Sequence, residues 1–205
     1  MDPTAAVSAS GPHVAPMSRS DPAFHDPALD ELVRVLGYHP HALLTMARKP
    51  GLLPAILGLL NVVVWSEGAI STPLRLLLAC EASRGAGCLY TAAHVVHAAH
   101  HAGVGWDKLA ALPDYGRDPL FTTEERHALA IATAGSALPV ADARAAFDEA
   151  KQVFNDDGLI EIVSAVSAFG WFNRWNSLMR TELEAVPAEA LDHVPWLAAL
   201  SGRIT

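Results

Sequence analysis

The chain is a succession of helix-spaced apolar segments. Each is opened by a capping residue or proline and closed by glycine or proline, and no alternating run lies between hairpin signals. Asp26-Pro27 opens the first segment, in which Leu29, Leu32, Val33 and Leu36 recur at helical spacing before Gly37. Pro40 opens a short second helix through Lys49, and Pro50-Gly51 closes it. Leu52 to Trp65 reads as an apolar helix turned by Ser66-Glu67-Gly68, and Thr72-Pro73 starts another that runs to Arg84. Gly85-Ala86-Gly87 interrupts the chain, and a new helix begins near Cys88 and stops at Gly103. Thr122 with Glu125 makes a capping box, and Val140 to Phe154 is a further helix. A last long helix is expected from about Leu159 to about Val186, stopped by Pro187. The pattern predicts an all-α fold, a compact helical bundle over residues 27–205. Residues 1–26, rich in Ala, Ser, Pro, Asp and His and without apolar period, are expected to form a flexible tail.

Composition narrows the function classes. A chain of 205 residues with 51% hydrophobic content and a mean hydropathy of +0.24 buries a substantial core without staples. Its net charge of −8 argues against nucleic acid and anionic membrane surfaces as partners. The most apolar stretch, Leu52 to Trp65, is broken by Pro54, Gly58 and Asn61 and is shorter than the ~20 residues of a membrane span. Met1 to Pro27 lacks the apolar run of a signal peptide, so a cytoplasmic location is expected. Two cysteines, Cys80 and Cys88, exclude a disulfide-rich scaffold and a four-cysteine zinc site.

The chemistry-bearing segment runs from Leu74 to His94. Cys88 opens a helix, where unpaired backbone N–H groups and the positive end of the dipole favour a thiolate. His94, one to two turns on, can trade a proton with it or with a substrate. Six residues of helix turn 240° around the axis, so Cys88 and His94 face different ways. Cys80 and Cys88 are separated by about 12 Å of helical rise, too far for a disulfide unless Gly85 and Gly87 fold the chain back. His94, His97 and His101 recur at i, i+3 and i+7, and His97 with His101 has the spacing of paired helical metal ligands. The rise of about 10 Å between His94 and His101 keeps all three from one ion, and neither metal nor cofactor is expected. Trp171, Phe172 and Trp175 suit a core, a subunit interface or an apolar pocket, in which Asn173 or Asn176 would orient a ligand.

The same segment resembles the core motif of the AhpD-like alkylhydroperoxidases and carboxymuconolactone decarboxylases. Leu74-Arg75, Ser83-Arg84, Gly87-Cys88, Tyr90 and His94 match that motif. Arg48-Lys49-Pro50-Gly51-Leu52-Leu53 and Phe169-Gly170-Trp171-Phe172-Asn173-Arg174 resemble its flanking helices, so the likeness spans residues 38 to 186. Three positions depart from it. Leu76 stands where the redox members carry a proton-relay Glu, the second Cys is either replaced by Thr91 or lost with one residue of the motif, and His94 follows Cys88 by six residues rather than seven. Without the second thiol no disulfide forms within the motif.

The resemblance implies an AhpD-like bundle, a homo-oligomer and a small-molecule substrate. Its candidate catalytic residues here are Cys88, His94, Thr91 and Glu81, the last if its helix turns it toward the same pocket. Tyr90, His97, Trp171 and Asn173 are the candidate pocket. Three functions are implied. One is cofactor-free acid–base chemistry of decarboxylase, lyase or isomerase type centred on His94. Another is a single-cysteine alkyl hydroperoxidase that uses Cys88 with an external thiol. The third is a non-catalytic ligand-binding or oligomerisation protein.

Overall fold

A computed structural model describes residues 11–18 and 27–201. Helices α1 (Pro27–Leu36), α2 (His41–Met46) and α3 (Leu52–Leu60) come first, and α3 runs without a break into a π-helical turn, Asn61–Trp65. Next come α4 (Thr72–Ala86), α5 (Leu89–His101), α6 (Trp106–Ala110), α7 (Thr123–Gly135) and α8 (Arg144–Ala150). The chain finishes with α9 (Asp156–Met179), α10 (Ala185–Ala188) and α11 (Pro195–Ser201). No strand occurs among the described residues, and none of their helices is long and apolar enough to cross a membrane.

Helix α4 is the axis of the molecule. Every residue from Leu74 to Ser83 is buried, because α5, α7 and α9 pack around it. A helix without a polar face belongs in such a place. The two charges it carries inside are both paired, as burial demands. Arg75 meets Glu161 at 2.8 Å and donates to the carbonyls of Val64 and Ser66 at 3.2 and 2.5 Å. Glu81 accepts two hydrogen bonds from Arg84, at 2.7 and 2.8 Å, and one from the Thr133 hydroxyl at 2.7 Å. Glu161 also accepts the Ala69 and Ile70 N–H groups. A side chain at Gly68 would collide with the Arg75 guanidinium and the Glu161 carboxylate, which explains the glycine.

Local signals set the helix ends that matter for the site. Ser71 caps α4, and Thr122 with Glu125 closes the capping box of α7 with both reciprocal bonds. Gly87 takes the left-handed conformation (φ 71°) that ends α4 and turns the chain into Cys88, the N-cap of α5.

Several boundaries differ from expectation. Helix α9 ends at Met179 rather than near Val186. Arg180 adopts φ 51°, and Thr181 returns to Asn176 through its N–H (3.1 Å to the carbonyl) and its hydroxyl (2.9 Å to Oδ1). Glu184 is thereby released from the helix and precedes α10. Helix α8 is shorter than Val140 to Phe154, since Asp142 accepts the Arg144 N–H and ends the irregular approach to it. The Leu52 to Trp65 segment changes pitch at Asn61. Within the segment read as a tail, residues 11–18 lie along the body. His13 N–H donates to Met179, Met17 N–H donates to Leu44, and Ala15 accepts from Arg48. The tail's remaining residues, 1–10 and 19–26, lie outside the described residues.

Candidate active site

A cavity of about 120 Å³ lies between the end of α1, α2, the π-helical turn, α4, α5 and α9. Tyr90, Thr91, His94, Val95 and Ala98 line one side of it, a repeat of helical neighbours that turns one face of α5 toward the space. The opposite walls are apolar and include Leu43, Val64, Trp65, Leu76 and Phe172. Polar groups enter from Tyr38, Tyr90, Thr91, His94 and Asn176. An apolar space with a few convergent polar groups is the usual form of a small-molecule site.

The thiol stands behind one of these groups. Cys88 Sγ lies 3.2 Å from Thr91 Oγ1, and it is Thr91 that lines the cavity. Thr91 Oγ1 accepts from Asn176 Nδ2 at 3.1 Å, and Asn176 Oδ1 in turn accepts from the Thr181 hydroxyl. The Thr91 hydroxyl has one proton and a second lone pair left after accepting from Asn176, so it can either donate to the Cys88 sulfur or accept from the thiol. The end of α9 and the start of α5 are thus tied together beside the thiol.

His94 belongs to a second chain. Its Nδ1 is 2.9 Å from the Tyr38 hydroxyl and its Nε2 is 2.7 Å from Glu184 Oε2. Tyr90 stacks on the imidazole, with ring centroids 4.2 Å apart, and donates to Glu184 Oε1 at 2.9 Å. The His41 backbone N–H also donates to Glu184 Oε1, and Ala42 N–H donates to the Tyr90 hydroxyl at 3.1 Å. Burial pushes the Glu184 carboxyl up, but the His94 hydrogen bond and charge and the His41 N–H outweigh it, leaving the carboxyl below its ordinary range. Burial and the Glu184 charge push both the Tyr38 and the Tyr90 phenols well up. The arrangement is an ionised carboxylate, an imidazole and a phenol in series, ending at the cavity.

The sequence candidates separate in space. Cys88, Tyr90, Thr91 and His94 come together along α5. Glu81 is fully buried on the far side of α4, where Arg84 and Thr133 hold it. His97 is buried outside the cavity wall, edge-on to Tyr38 and against the His101 ring at 4.2 Å. Burial and the neighbouring histidines lower its pKa to about 4. Trp171 stacks on Trp175 and meets Phe172 edge-on, away from the cavity. Asn173 donates to the Ala82 carbonyl at 3.3 Å, so Asn176, one turn later, is the amide that reaches the site. Among the described residues no three His, Cys, Asp or Glu side chains form a metal cluster.

Sequence reasoning misses Tyr38 and Glu184. Tyr38 follows the Gly37 stop of α1, and Glu184 lies where a continuous helix is expected. Leu76, which the family resemblance sets against a relay Glu, lines the cavity as an apolar side chain. The carboxylate here comes from the opposite end of the chain. Two acidic residues in the Thr181 to Pro187 stretch, Glu182 and Glu184, are the signal that points there, and the sequence does not choose between them.

Comparison with known proteins agrees with this construction. The carboxymuconolactone decarboxylase family model matches residues 50–134. The debrominase Bmp8 is 32% identical, over 88% of this chain and 96% of that one, with a TM-score of 0.81. Bmp8 has been solved alone and, with a cysteine replaced by alanine, in complex with 2,3,4-tribromopyrrole. An AhpD-core peroxidase-related protein from Ralstonia eutropha JMP134 is 17% identical, over 78% of this chain and 84% of that one, at TM-score 0.66. A peroxidase-related protein from Silicibacter sp. TM1040 is 22% identical, over 83% and 93%, at TM-score 0.64. These two show the shared fold. A comparison with curated proteins gives no significant match. With the motif on α4 and α5, the bundle around it and a relative matched along nearly its whole length, the chain belongs to the AhpD-like and carboxymuconolactone decarboxylase superfamily.

Proposed function

We propose that the chain is an enzyme that reductively removes a halogen, bromine above all, from a small aromatic ring. The observation that carries this reading is the meeting, on one face of α5, of the Cys88–Thr91 hydrogen bond and the His94–Glu184 pair beside an apolar cavity. The likeness to a debrominase supports the substrate class.

The chemistry balances with one thiol in the site. A ring carbon bearing bromine takes a proton delivered through the His94 network, which interrupts aromaticity. The Cys88 thiolate then attacks the bromine. The C–Br electron pair returns to the ring, giving Ar–H and a Cys88 S–Br bond. A low-molecular-weight thiol attacks the Cys88 sulfur and expels bromide, and a second thiol releases Cys88 as the free thiol and leaves with the first as a disulfide. The net reaction converts ArBr and two thiols to ArH, HBr and one disulfide. The reductant is external, because Cys80, the other cysteine, is completely buried beside Glu81.

A second reading is acid–base chemistry without a thiol step, favoured by one observation: Tyr38, Thr91 and His94 line the cavity while Cys88 stands behind Thr91. Bromide release from 2,3,4-tribromopyrrole in the presence of a thiol reductant tests the pair. Release by the wild type that Cys88→Ala abolishes supports dehalogenation. A wild type without release, or a Cys88→Ala variant of undiminished activity, overturns it and moves the assignment to the acid–base reading.

A further inference from the structure

The substrate-facing end of the proton chain is found by counting donors and acceptors. His94 has two ring nitrogens and both are engaged, Nε2 by Glu184 and Nδ1 by Tyr38. The Glu184 carboxylate accepts only, so Nε2 carries the imidazole proton. In the neutral ring the lone pair is then on Nδ1, and the Tyr38 hydroxyl donates to it. Tyr38 also lines the cavity, and its oxygen keeps lone pairs for a ligand. A substrate hydrogen therefore meets an acceptor whose own proton is already aimed at a base, and it reaches the imidazole only through that hydroxyl.

We infer that Tyr38 is a catalytic residue, the terminal member of a Glu184–His94–Tyr38 relay, and that the site selects small rings carrying a weakly acidic N–H or O–H. The inference rests on the reading of this cavity as the substrate site. In the forward step the substrate X–H bond breaks and its proton goes to the Tyr38 oxygen, while the Tyr38 proton goes to His94 Nδ1. The products are a substrate anion, a neutral phenol donating to that anion, and an imidazolium between Tyr38 and Glu184. Run in reverse, the same chain returns a proton to the substrate. Burial and the Glu184 charge disfavour a resting phenolate at Tyr38, so the phenol conducts the proton without storing the charge. The apolar walls leave this edge and the Thr91–Asn176 pair to orient the ring.

The test uses 4-bromophenol, which is neutral in water at pH 7 and absorbs differently as its phenolate. The probe is titrated into the wild-type protein and into Tyr38→Phe, with circular dichroism to establish that both are folded. Wild type is expected to bind the probe with a clear phenolate band, and Tyr38→Phe to lose at least about 10-fold of that ionised fraction. Turnover, followed separately as bromide release from 2,3,4-tribromopyrrole, is expected to fall roughly 100-fold in kcat with little change in KM. A Tyr38→Phe protein that ionises the probe as wild type does, or a wild type that shows no phenolate band, overturns the relay. A wild type with the band but no bromide release sustains the relay and overturns the dehalogenase reading alone.

Discussion

His94 Nε2 lies 2.7 Å from Glu184 Oε2, a hydrogen bond between residues 90 positions apart in the chain. It fixes the tautomer of the imidazole, and the tautomer fixes the direction in which the neighbouring phenol points. Glu184 holds this role because Tyr90 and the His41 backbone supply Oε1 with donors, leaving Oε2 for the ring.

Replacing Glu184 by glutamine tests that direction. The amide carbonyl can keep the Oε1 donors, which turns the NH2 group toward His94 Nε2 and drives the ring proton to Nδ1. The base is then reversed relative to Tyr38. We expect Glu184→Gln to lose about 100-fold or more in kcat while remaining folded. Nitrogen-15 chemical shifts of the His94 ring should report the exchanged tautomer. An unchanged ring spectrum with unchanged kcat refutes the assignment.

Thr91 offers a gain-of-function experiment. Its Oγ1 is 3.2 Å from Cys88 Sγ, so a sulfur placed there needs only a modest shift to bond at disulfide length. Thr91→Cys is expected to form an intramolecular disulfide on mild oxidation, seen as a loss of about 2 Da with Cys88 and position 91 joined in one peptide. Two free thiols persisting after oxidation would contradict the geometry.

The two native thiols should differ in accessibility to chemistry. Both are buried, but Cys80 has no exposure, and burial together with the Glu81 charge pushes its thiol far up. Cys88 keeps 4% exposure and is separated from the cavity only by Thr91. Native protein treated with excess iodoacetamide is expected to be modified at Cys88 and not at Cys80, with both labelled only after denaturation. Peptide mapping by mass spectrometry decides it, and labelling of Cys80 at the same rate as Cys88 would be inconsistent with the packing.

His97 predicts a pH dependence of stability. Its folded pKa is about 4 against an ordinary 6.5. The unfolded chain takes up this proton first as pH falls, so the stability associated with neutral His97 is complete above pH 6.5 and is lost progressively toward pH 4. The loss amounts to about 1–3 kcal/mol. Urea unfolding at about pH 7 and about pH 4.5 should show it, and His97→Gln should flatten the difference between the two. An identical pH slope in the variant removes His97 from the account.

Local chemistry is what the sequence makes legible. The capping box at Thr122 and Glu125 and the start at Thr72-Pro73 are each written within a few residues, and each forms. The break read at Gly85-Ala86-Gly87 falls at its last glycine, with the helix running two residues past Arg84. The α5 half of the site is legible for the same reason, since Cys88, Tyr90, Thr91 and His94 sit in one segment. The other half is assembled by tertiary structure. Neither glycine nor proline marks the end of α9, which is set by the left-handed Arg180 and by Thr181 folding back on Asn176, while the apolar spacing runs on through Leu183 and Val186. Glu184 is therefore hidden inside an apparent helix. Asn173 and Asn176 are equivalent candidates by composition, and only the rotation of α9 against α4 and α5 sends the first to a backbone carbonyl and the second to Thr91. Glu81 looks catalytic from its neighbourhood in the motif, but two donors of Arg84 and the Thr133 hydroxyl occupy it.

The π-helical turn at Asn61–Trp65 contributes Val64 and Trp65 to the cavity, and Arg75 latches it through the carbonyls of Val64 and Ser66. A turn of this kind accommodates one residue more than α-helical winding does. Deleting a single codon there would restore regular pitch and re-aim Val64 and Trp65, which sit just before the chain leaves the helix at Ser66. The cavity wall would be recut while Cys88, His94 and Glu184 stayed where they are. In this fold, substrate range can drift through length variation at one helical turn, leaving the reacting groups untouched.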